Sequence, residues 1–221
     1  REALWAEIFQ QVISTPAKWM IDTSFAPGRW AVGFPYLYVL YRILNETKPR
    51  SILELGLGQS TKMIAQYAQY YPDTAHHVTE HDTKWIEFFK ESCPHLSNTT
   101  IHLLGLTYII HPEASHEVRR YKDFSEEFSE RQFDLISIDA PFEYGMADLA
   151  RIDILDILPN SLANSFAIII DDYHRPTIQK MAKLVEQCLS DAGIEFESGT
   201  YQGEKWTRVI ASVDNSFLCS M

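Results

Sequence analysis

The chain has 221 residues, enough for one α/β domain with a substantial core. Hydrophobic residues make up 46% and charged residues 22%, a globular composition that excludes a disordered chain. The formal net charge of −11 argues against a nucleic-acid partner, because proteins that bind nucleic acid usually carry a basic face. The cysteines form no CxxC pair, which favours a reducing, cytoplasmic location. No apolar run is long enough to span a membrane.

The first 49 residues predict a helical cap. Glu2–Ile13 has the apolar spacing of an amphipathic helix, Ile21–Gly33 has the composition of a loop, and Phe34–Asn45 is an apolar helix. The aromatic side chains here are expected to pack against the rest of the chain, with a lid over a binding site as the alternative. They are Trp30, Phe34, Tyr36, Tyr38 and Tyr41.

From residue 50 onward, apolar strands alternate with amphipathic helices. The predicted strands are Ser51–Leu55, His76–Glu80, Thr99–Leu104, Phe133–Ala140 and Phe166–Asp171. The predicted helices are Thr61–Tyr71, Thr83–Glu91, Met146–Leu158 and Pro176–Ala192. Two last strands, Glu195–Tyr201 and Trp206–Val213, follow each other without a helix and predict a hairpin. We therefore expect one α/β domain over residues 1–221, with a mostly parallel seven-stranded sheet over 50–221.

A glycine-containing turn, Gly56-Leu-Gly58, connects the first strand to the next helix. Glycines here let the backbone approach a ligand, and the helix N-terminus offers free N–H groups. Ser60 is the expected N-cap of that helix. Glu80 ends the second strand, where a carboxylate can bind a ribose diol. The pattern favours a nucleotide-type ligand over a plain β–α turn; a dinucleotide fits Glu80 too, although the third glycine of GxGxxG is missing.

Acidic residues end two further strands. Asp139 follows the fourth strand, and Asp171 and Asp172 follow the fifth, so parallel pairing should bring them to one sheet edge. Carboxylates that converge need a proton, basic partners or a divalent ion with oxygen ligands such as Mg²⁺ or Mn²⁺. His174 is a candidate general base, and Arg175 could bind an anionic group. The alternative is that each aspartate only caps a turn or helix.

Four segments together resemble the polysaccharide-biosynthesis methyltransferase family, whose familiar members are plant glucuronoxylan O-methyltransferases. They are Gly56-Leu-Gly58, Glu80-His-Asp82-Thr-Lys-Trp85, Asp134-Leu-Ile-Ser-Ile-Asp-Ala-Pro141 and Ile170-Asp-Asp-Tyr-His-Arg175. The resemblance covers about residues 50–180. It implies a Rossmann-like class I methyltransferase fold with a terminal antiparallel hairpin, and S-adenosylmethionine (SAM) as the cofactor.

The resemblance also implies where SAM would bind. In such folds an acid in the first strand, here Glu54, lies near the amino-acid end of the cofactor, and adenine lies after the third strand, near Gly105 and Thr107. The full set of expected cofactor-binding residues is Glu54, Gly56, Gly58, Ser60, Glu80, His81, Gly105, Thr107 and Asp139.

Asp139, Asp171 and Asp172 also resemble the metal triad of the catechol-type O-methyltransferases. That family has an Asp after the fourth strand and an Asp-Asn pair after the fifth, so Asp172 departs from it. The glucuronoxylan-type family fits Asp172 but usually has another residue at Asp171. The resemblance leaves open whether these residues bind a divalent metal or serve without one.

The leading functional hypothesis is an O-methyltransferase acting on a sugar hydroxyl of a glycan or nucleotide-linked sugar. Asp139, Asp172 and His174 are its candidate catalytic residues, and Glu143, Tyr144 and Arg151 are candidates for the acceptor pocket. A metal-dependent enzyme acting on a small diol or phenol is the first alternative. A non-catalytic interaction subunit with the same fold is the second. The oligomeric state stays open.

Overall fold

The computed structural model describes residues 1–221 and contains nine strands, seven in one sheet and two in a separate ribbon. In chain order the strands are β1 (Ser51–Leu55), β2 (Ala75–Glu80), β3 (Thr99–Leu103), β4 (Leu106–Ile110), β5 (Glu117–Tyr121), β6 (Phe133–Ile138), β7 (Leu162–Ile170), β8 (Phe196–Gln202) and β9 (Trp206–Ser212). The sheet order is β3-β2-β1-β6-β7-β9-β8, while β4 and β5 pair separately. All sheet contacts from β3 to β7 are parallel, and β9 runs antiparallel to both neighbours.

Six α-helices cover the two faces of this sheet. They are α1 (Glu2–Ile13), α2 (Phe34–Glu46), α3 (Gln59–Tyr70), α4 (Thr83–Ser92), α5 (Phe124–Phe128) and α6 (Pro176–Asp191). Successive strand side chains point to opposite faces, so Leu53 and Leu55 of β1 pack with α5 and α6. Ile52 packs with α1, α2 and α3 on the other face. The predicted Rossmann-like architecture with its C-terminal hairpin and N-terminal helices is confirmed.

The predicted helix Met146–Leu158 is wrong. Only Asp153–Asp156 is helical, as one short 3₁₀ turn. Arg151 has a φ of 56°, in the left-handed region that the interior of an α-helix excludes. The apolar residues that suggested a helix, including Leu149 and Ile152, belong to an irregular loop, and their side chains are buried in the core.

The sequence pattern also missed the ribbon formed by β4 and β5. In β4 the exposed side chains of Tyr108 and Ile110 alternate with partly buried ones, and the two strands pair antiparallel from Leu106 opposite Tyr121 to Ile110 opposite Glu117. No tight Asn-Gly or Asp-Gly turn connects them, so the usual hairpin signal is absent. None of the helices combines the length and the apolar character needed to cross a membrane.

Asp153 is a buried carboxyl group whose ionisation should make stability depend on pH. Its Oδ1 accepts the Tyr121 backbone N–H at 2.6 Å, and its Oδ2 has no partner. Burial raises the pKa of Asp153 to about 7. In the unfolded chain this carboxyl loses its proton near pH 4, so folded-state stability falls as pH rises from about 4 to about 7.

We expect Asp153→Asn, which imitates the protonated acid, to remove this dependence. The variant should gain up to about 4 kcal/mol relative to the wild type between pH 4 and pH 8. Urea unfolding across that range measures the difference. Asp156→Asn, a partly exposed aspartate in the same turn, is the matched control. If Asp156→Asn produced the same trend, burial of Asp153 would not be its cause.

Candidate active site

A cavity of about 440 Å³ opens at the carboxyl ends of the parallel strands. This edge includes β1, from which the chain proceeds to β2 on one side and returns to β6 on the other, the place where α/β sheets commonly bind ligands. The lining residues are Ala26, Gly28–Ala31, Gly56–Ser60, Glu80, His81, Trp85, Asp139, Ala140, Phe142–Tyr144, Arg151, Asp172, Arg175 and Lys205.

The turn from β1 to α3 forms one wall of the cavity. Gly56 has a φ of 103°, and a Cβ at this position would lie 2.8 Å from the Cβ of Ala140, so only glycine fits. Gly58 is the N-cap of α3, and its N–H donates to Thr61 Oγ1 at 2.9 Å. The predicted N-cap, Ser60, instead lies inside the helix, and it is one of the residues that line the cavity.

Glu80 ends β2 and faces the same cavity. Its Oε1 accepts the backbone N–H groups of His81 at 2.7 Å and Asp82 at 2.9 Å, and His81 Nδ1 lies 2.8 Å away. Burial opposes ionisation, but these contacts outweigh it and hold the pKa of Glu80 below its ordinary value. A carboxylate that is fixed and charged in this way is suited to accept hydrogen bonds from a diol.

Asp82 and Trp85, which belong to the same segment as Glu80, have structural roles. Asp82 caps α4 by accepting the N–H groups of Lys84 and Trp85. Trp85 then donates its indole N–H to Leu57 O at 2.7 Å, which ties α4 to the glycine turn. Its spacing from Glu80 was visible in the sequence, but its role as a strut for the turn depends on the fold.

Three predicted site residues do not reach the cavity. Glu54 is fully buried with its Oε2 3.1 Å from His76 Nε2, on the sheet face that it shares with Ile52. Gly105 lies just before β4, and Thr107 lies within it. None of the three lines the cavity, because strand alternation turns Glu54 away and the β4–β5 ribbon diverts the chain after β3.

His174 is also turned away from the cavity. Its Nδ1 accepts the backbone N–H of Trp206 at 3.4 Å, and the side chain is absent from the cavity wall. The structure therefore gives it no contact with a ligand in the cavity and assigns it to the junction between the loop after β7 and β9. Its neighbour Arg175 does line the cavity and pairs with Glu143.

The three aspartates predicted to converge do so. Asp139, Asp171 and Asp172 each place a carboxylate oxygen within 4.8 Å of the others. Asp171 is fully buried and Asp172 nearly so, whereas 18% of the Asp139 side chain remains exposed. Asp139 and Asp172 line the cavity, and Asp171 lies behind them.

Two cations hold this cluster together. Arg151 Nη2 lies 3.1 Å from Asp139 Oδ1 and 2.9 Å from Asp172 Oδ2. Lys205 Nζ lies 3.1 Å from Asp171 Oδ2 and 3.4 Å from Asp172 Oδ1. Lys205 was missed by the sequence analysis, since it lies in the turn between β8 and β9, far along the chain from the other residues.

The cations act unequally on the three carboxyl groups. Burial raises the pKa of Asp139 well above its ordinary value, and the neighbouring Asp171 raises it further. Burial also raises the pKa of Asp171, against the opposing effect of Lys205. For Asp172 burial acts the same way, but Arg151 and Lys205 outweigh it and lower the pKa.

No protein-family model matches the sequence, and no curated protein does. Solved structures do match the fold. The chain has the fold of class I O-methyltransferases. TomG of Streptomyces achromogenes, an O-methyltransferase of tomaymycin synthesis solved with SAM, is 15% identical, with a TM-score of 0.54 over 83% of this chain and 82% of TomG.

Two further structures extend over almost the whole chain. A Staphylococcus aureus protein, provisionally assigned as a caffeoyl-CoA O-methyltransferase, is 15% identical, with a TM-score of 0.56 over 96% of this chain and 99% of its own. An O-methyltransferase of Bacillus cereus in complex with SAH is 12% identical, with a TM-score of 0.55 over 96% and 90%.

The two glycines of the turn give a matched test of the cavity wall. Gly56→Ala should destabilise the fold by about 2 kcal/mol or more, because it combines a positive φ with a clash against Ala140. Gly58→Ala has free space around the new Cβ and a φ of −169°, so it should cost less than about 1 kcal/mol. Chemical unfolding without ligand measures both. Equal losses would contradict the close approach of Gly56 to the loop after β6.

Proposed function

We propose that this chain is a SAM-dependent O-methyltransferase that methylates a hydroxyl group of a sugar, either in a glycan or in a nucleotide-linked sugar. One observation carries the proposal: Glu80, the Gly56–Ser60 turn and Asp139 line a single cavity at the switch point of a methyltransferase fold. The SAM and SAH complexes among structures of the same fold support the choice of cofactor.

The cofactor half of the cavity is formed by β1, β2 and their following turns. The Gly56–Ser60 turn brings backbone close to the ligand at the N-terminus of α3. Glu80 would accept hydrogen bonds from the ribose hydroxyls, and His81 lies beside it. Trp85 lines the same part of the cavity while its indole N–H fixes the turn. When bound, SAM supplies an electrophilic methyl group.

The acceptor half is formed by the loops after β6 and β7. Asp139 is the most exposed member of the carboxylate cluster, so we assign to it the role of general base for the acceptor hydroxyl. The acceptor oxygen would take the methyl group as its bond to the sulfonium sulfur breaks and S-adenosylhomocysteine leaves, and Asp139 would accept the proton that the hydroxyl loses. Arg151 holds Asp139 and Asp172 in place, and orientation of the hydroxyl supplies much of the remaining rate enhancement.

The walls around Asp139 suit a sugar ring. Trp30 is 81% exposed and Tyr144 is 76% exposed, yet both line the cavity, so their rings are available to an acceptor. Aromatic faces bury the apolar side of a ligand ring, and polar groups beside them fix its orientation. Glu143 and Arg175, which pair with each other, supply such groups.

A divalent metal, the alternative raised by the three aspartates, does not fit the side chains as they are arranged. Each carboxylate already has at least one oxygen in contact with Arg151 or Lys205, and Asp171 Oδ1 is the buried oxygen that neither cation reaches. A metal ion needs oxygen ligands at about 2.0–2.6 Å and would have to displace Lys205 from between Asp171 and Asp172. Two observations favour the small-diol enzyme: the convergence of the carboxylates, and the structural likeness to a protein provisionally assigned as a caffeoyl-CoA O-methyltransferase.

Binding of SAM is the first test of the proposed function. Wild-type protein should bind SAM in calorimetry, and Glu80→Gln should weaken binding by about tenfold or more, because hydrogen bonds to a charged acceptor are lost. Glu87→Gln, an exposed glutamate on α4, is the matched control and should bind as the wild type does. A wild-type protein that binds no SAM would rule out the methyltransferase and favour the interaction subunit.

Transfer to a sugar is the second test. Labelled SAM is offered with free sugars, nucleotide sugars and oligosaccharides, and with catechols for comparison. At saturating SAM, Asp139→Asn should lower kcat for the active sugar by about 100-fold or more, the usual cost of losing a general base. Asp148→Asn, in the same loop but outside the cavity wall, is the control. Transfer to catechols alone would refute the sugar assignment.

A further inference from the structure

Lys205 contacts two of the three carboxylates, although it comes from the turn between β8 and β9. Its side chain is only 12% exposed, and its ammonium lies between Asp171 and Asp172. Lysine is seldom so deeply buried unless its charge is matched. Here Lys205 and Arg151 face Asp139, Asp171 and Asp172, and Arg175, which pairs with Glu143, places its Nε 3.6 Å from Asp172 Oδ1.

The turn that carries Lys205 is held from two sides. The Glu204 N–H donates to Glu2 Oε2 at 2.8 Å, and Glu2 Oε1 also accepts the Phe34 N–H at 2.9 Å. A Cβ on Gly203 would lie 2.6 Å from Pro35 Cγ, so the turn packs directly against the start of α2. The N-terminal helices thus fix the turn from which Lys205 reaches the ends of β6 and β7.

We propose that Lys205 takes the place of a divalent cation, so that this site works with a lysine where metal-dependent enzymes place an ion. The ammonium contacts Asp171 and Asp172, while Asp139, held by Arg151, faces the cavity that would hold the acceptor. An added divalent ion would bring two further positive charges next to the ammonium of Lys205 and the guanidinium of Arg151 in a buried cluster, which is costly. This role in transfer rests on the proposed function, but the exclusion of metal can be measured without turnover.

The test is binding of Mn²⁺, followed by its electron paramagnetic resonance spectrum. Wild-type protein should leave Mn²⁺ free in solution at millimolar concentrations. Lys205→Met removes the ammonium and keeps the three carboxylates, so it should bind Mn²⁺ at least about tenfold more tightly than the wild type. The thermal midpoint of this variant should rise on adding Mn²⁺, while that of the wild type should not.

Lys183→Met, at an exposed position on α6, is the matched control and should behave as the wild type does. Lys205→Arg keeps a cation in place and should also leave Mn²⁺ free. If Lys205→Met does not fold, Lys205→Gln, which keeps hydrogen-bonding groups there, replaces it. Mn²⁺ bound by the wild type, or no gain in either neutral variant, would overturn the proposal.

The same wild-type sample separates this proposal from the proposed function. Calorimetry with SAM tests the methyltransferase, whereas the Mn²⁺ spectrum reports only on the carboxylate cluster. A protein that binds no SAM but still gains Mn²⁺ affinity on losing Lys205 would refute the function and keep the substitution of lysine for metal. A protein that binds SAM and also holds Mn²⁺ would do the reverse.

Discussion

The structure depends on how three carboxylates are kept together at one edge of a parallel sheet. Asp139, Asp171 and Asp172 repel one another, and burial strengthens that repulsion because the protein interior screens charge poorly. Arg151 and Lys205 each contact two of them. β6 and β7 pair along their backbones, and two separate segments each deliver a cation to the carboxylates at the ends of these strands.

Those two segments account for features of the fold that are otherwise puzzling. The apolar spacing of the loop after β6 is typical of a helix, but the loop is irregular. Arg151 in this loop has a left-handed backbone conformation, and its guanidinium is buried. The turn between β8 and β9 packs against α2 without room for a side chain at Gly203. In both places the backbone departs from its usual local conformation, and in both it presents a cation to the carboxylates at the sheet edge.

The sequence was sufficient for whatever depends on local periodicity or on parallel pairing. The seven strands of the main sheet, including the C-terminal hairpin, and most helices follow from apolar spacing, and the convergence of Asp139 with Asp172 follows from their positions at strand ends. The Gly56–Ser60 turn and Glu80 were predicted in the same way, and both line the cavity. Each of these residues lies at a strand end or in the turn that follows it.

The sequence was insufficient where a contact joins distant segments. Lys205 resembles any exposed lysine in a turn, and nothing near it in the sequence marks a partner at Asp171. Glu54 shows the same limit: its position in a strand follows from the sequence, but the contact of its Oε2 with His76 on the neighbouring strand does not. A buried charge in a sequence signals that a partner exists, and only the fold decides whether that partner is a side chain, a metal or a substrate.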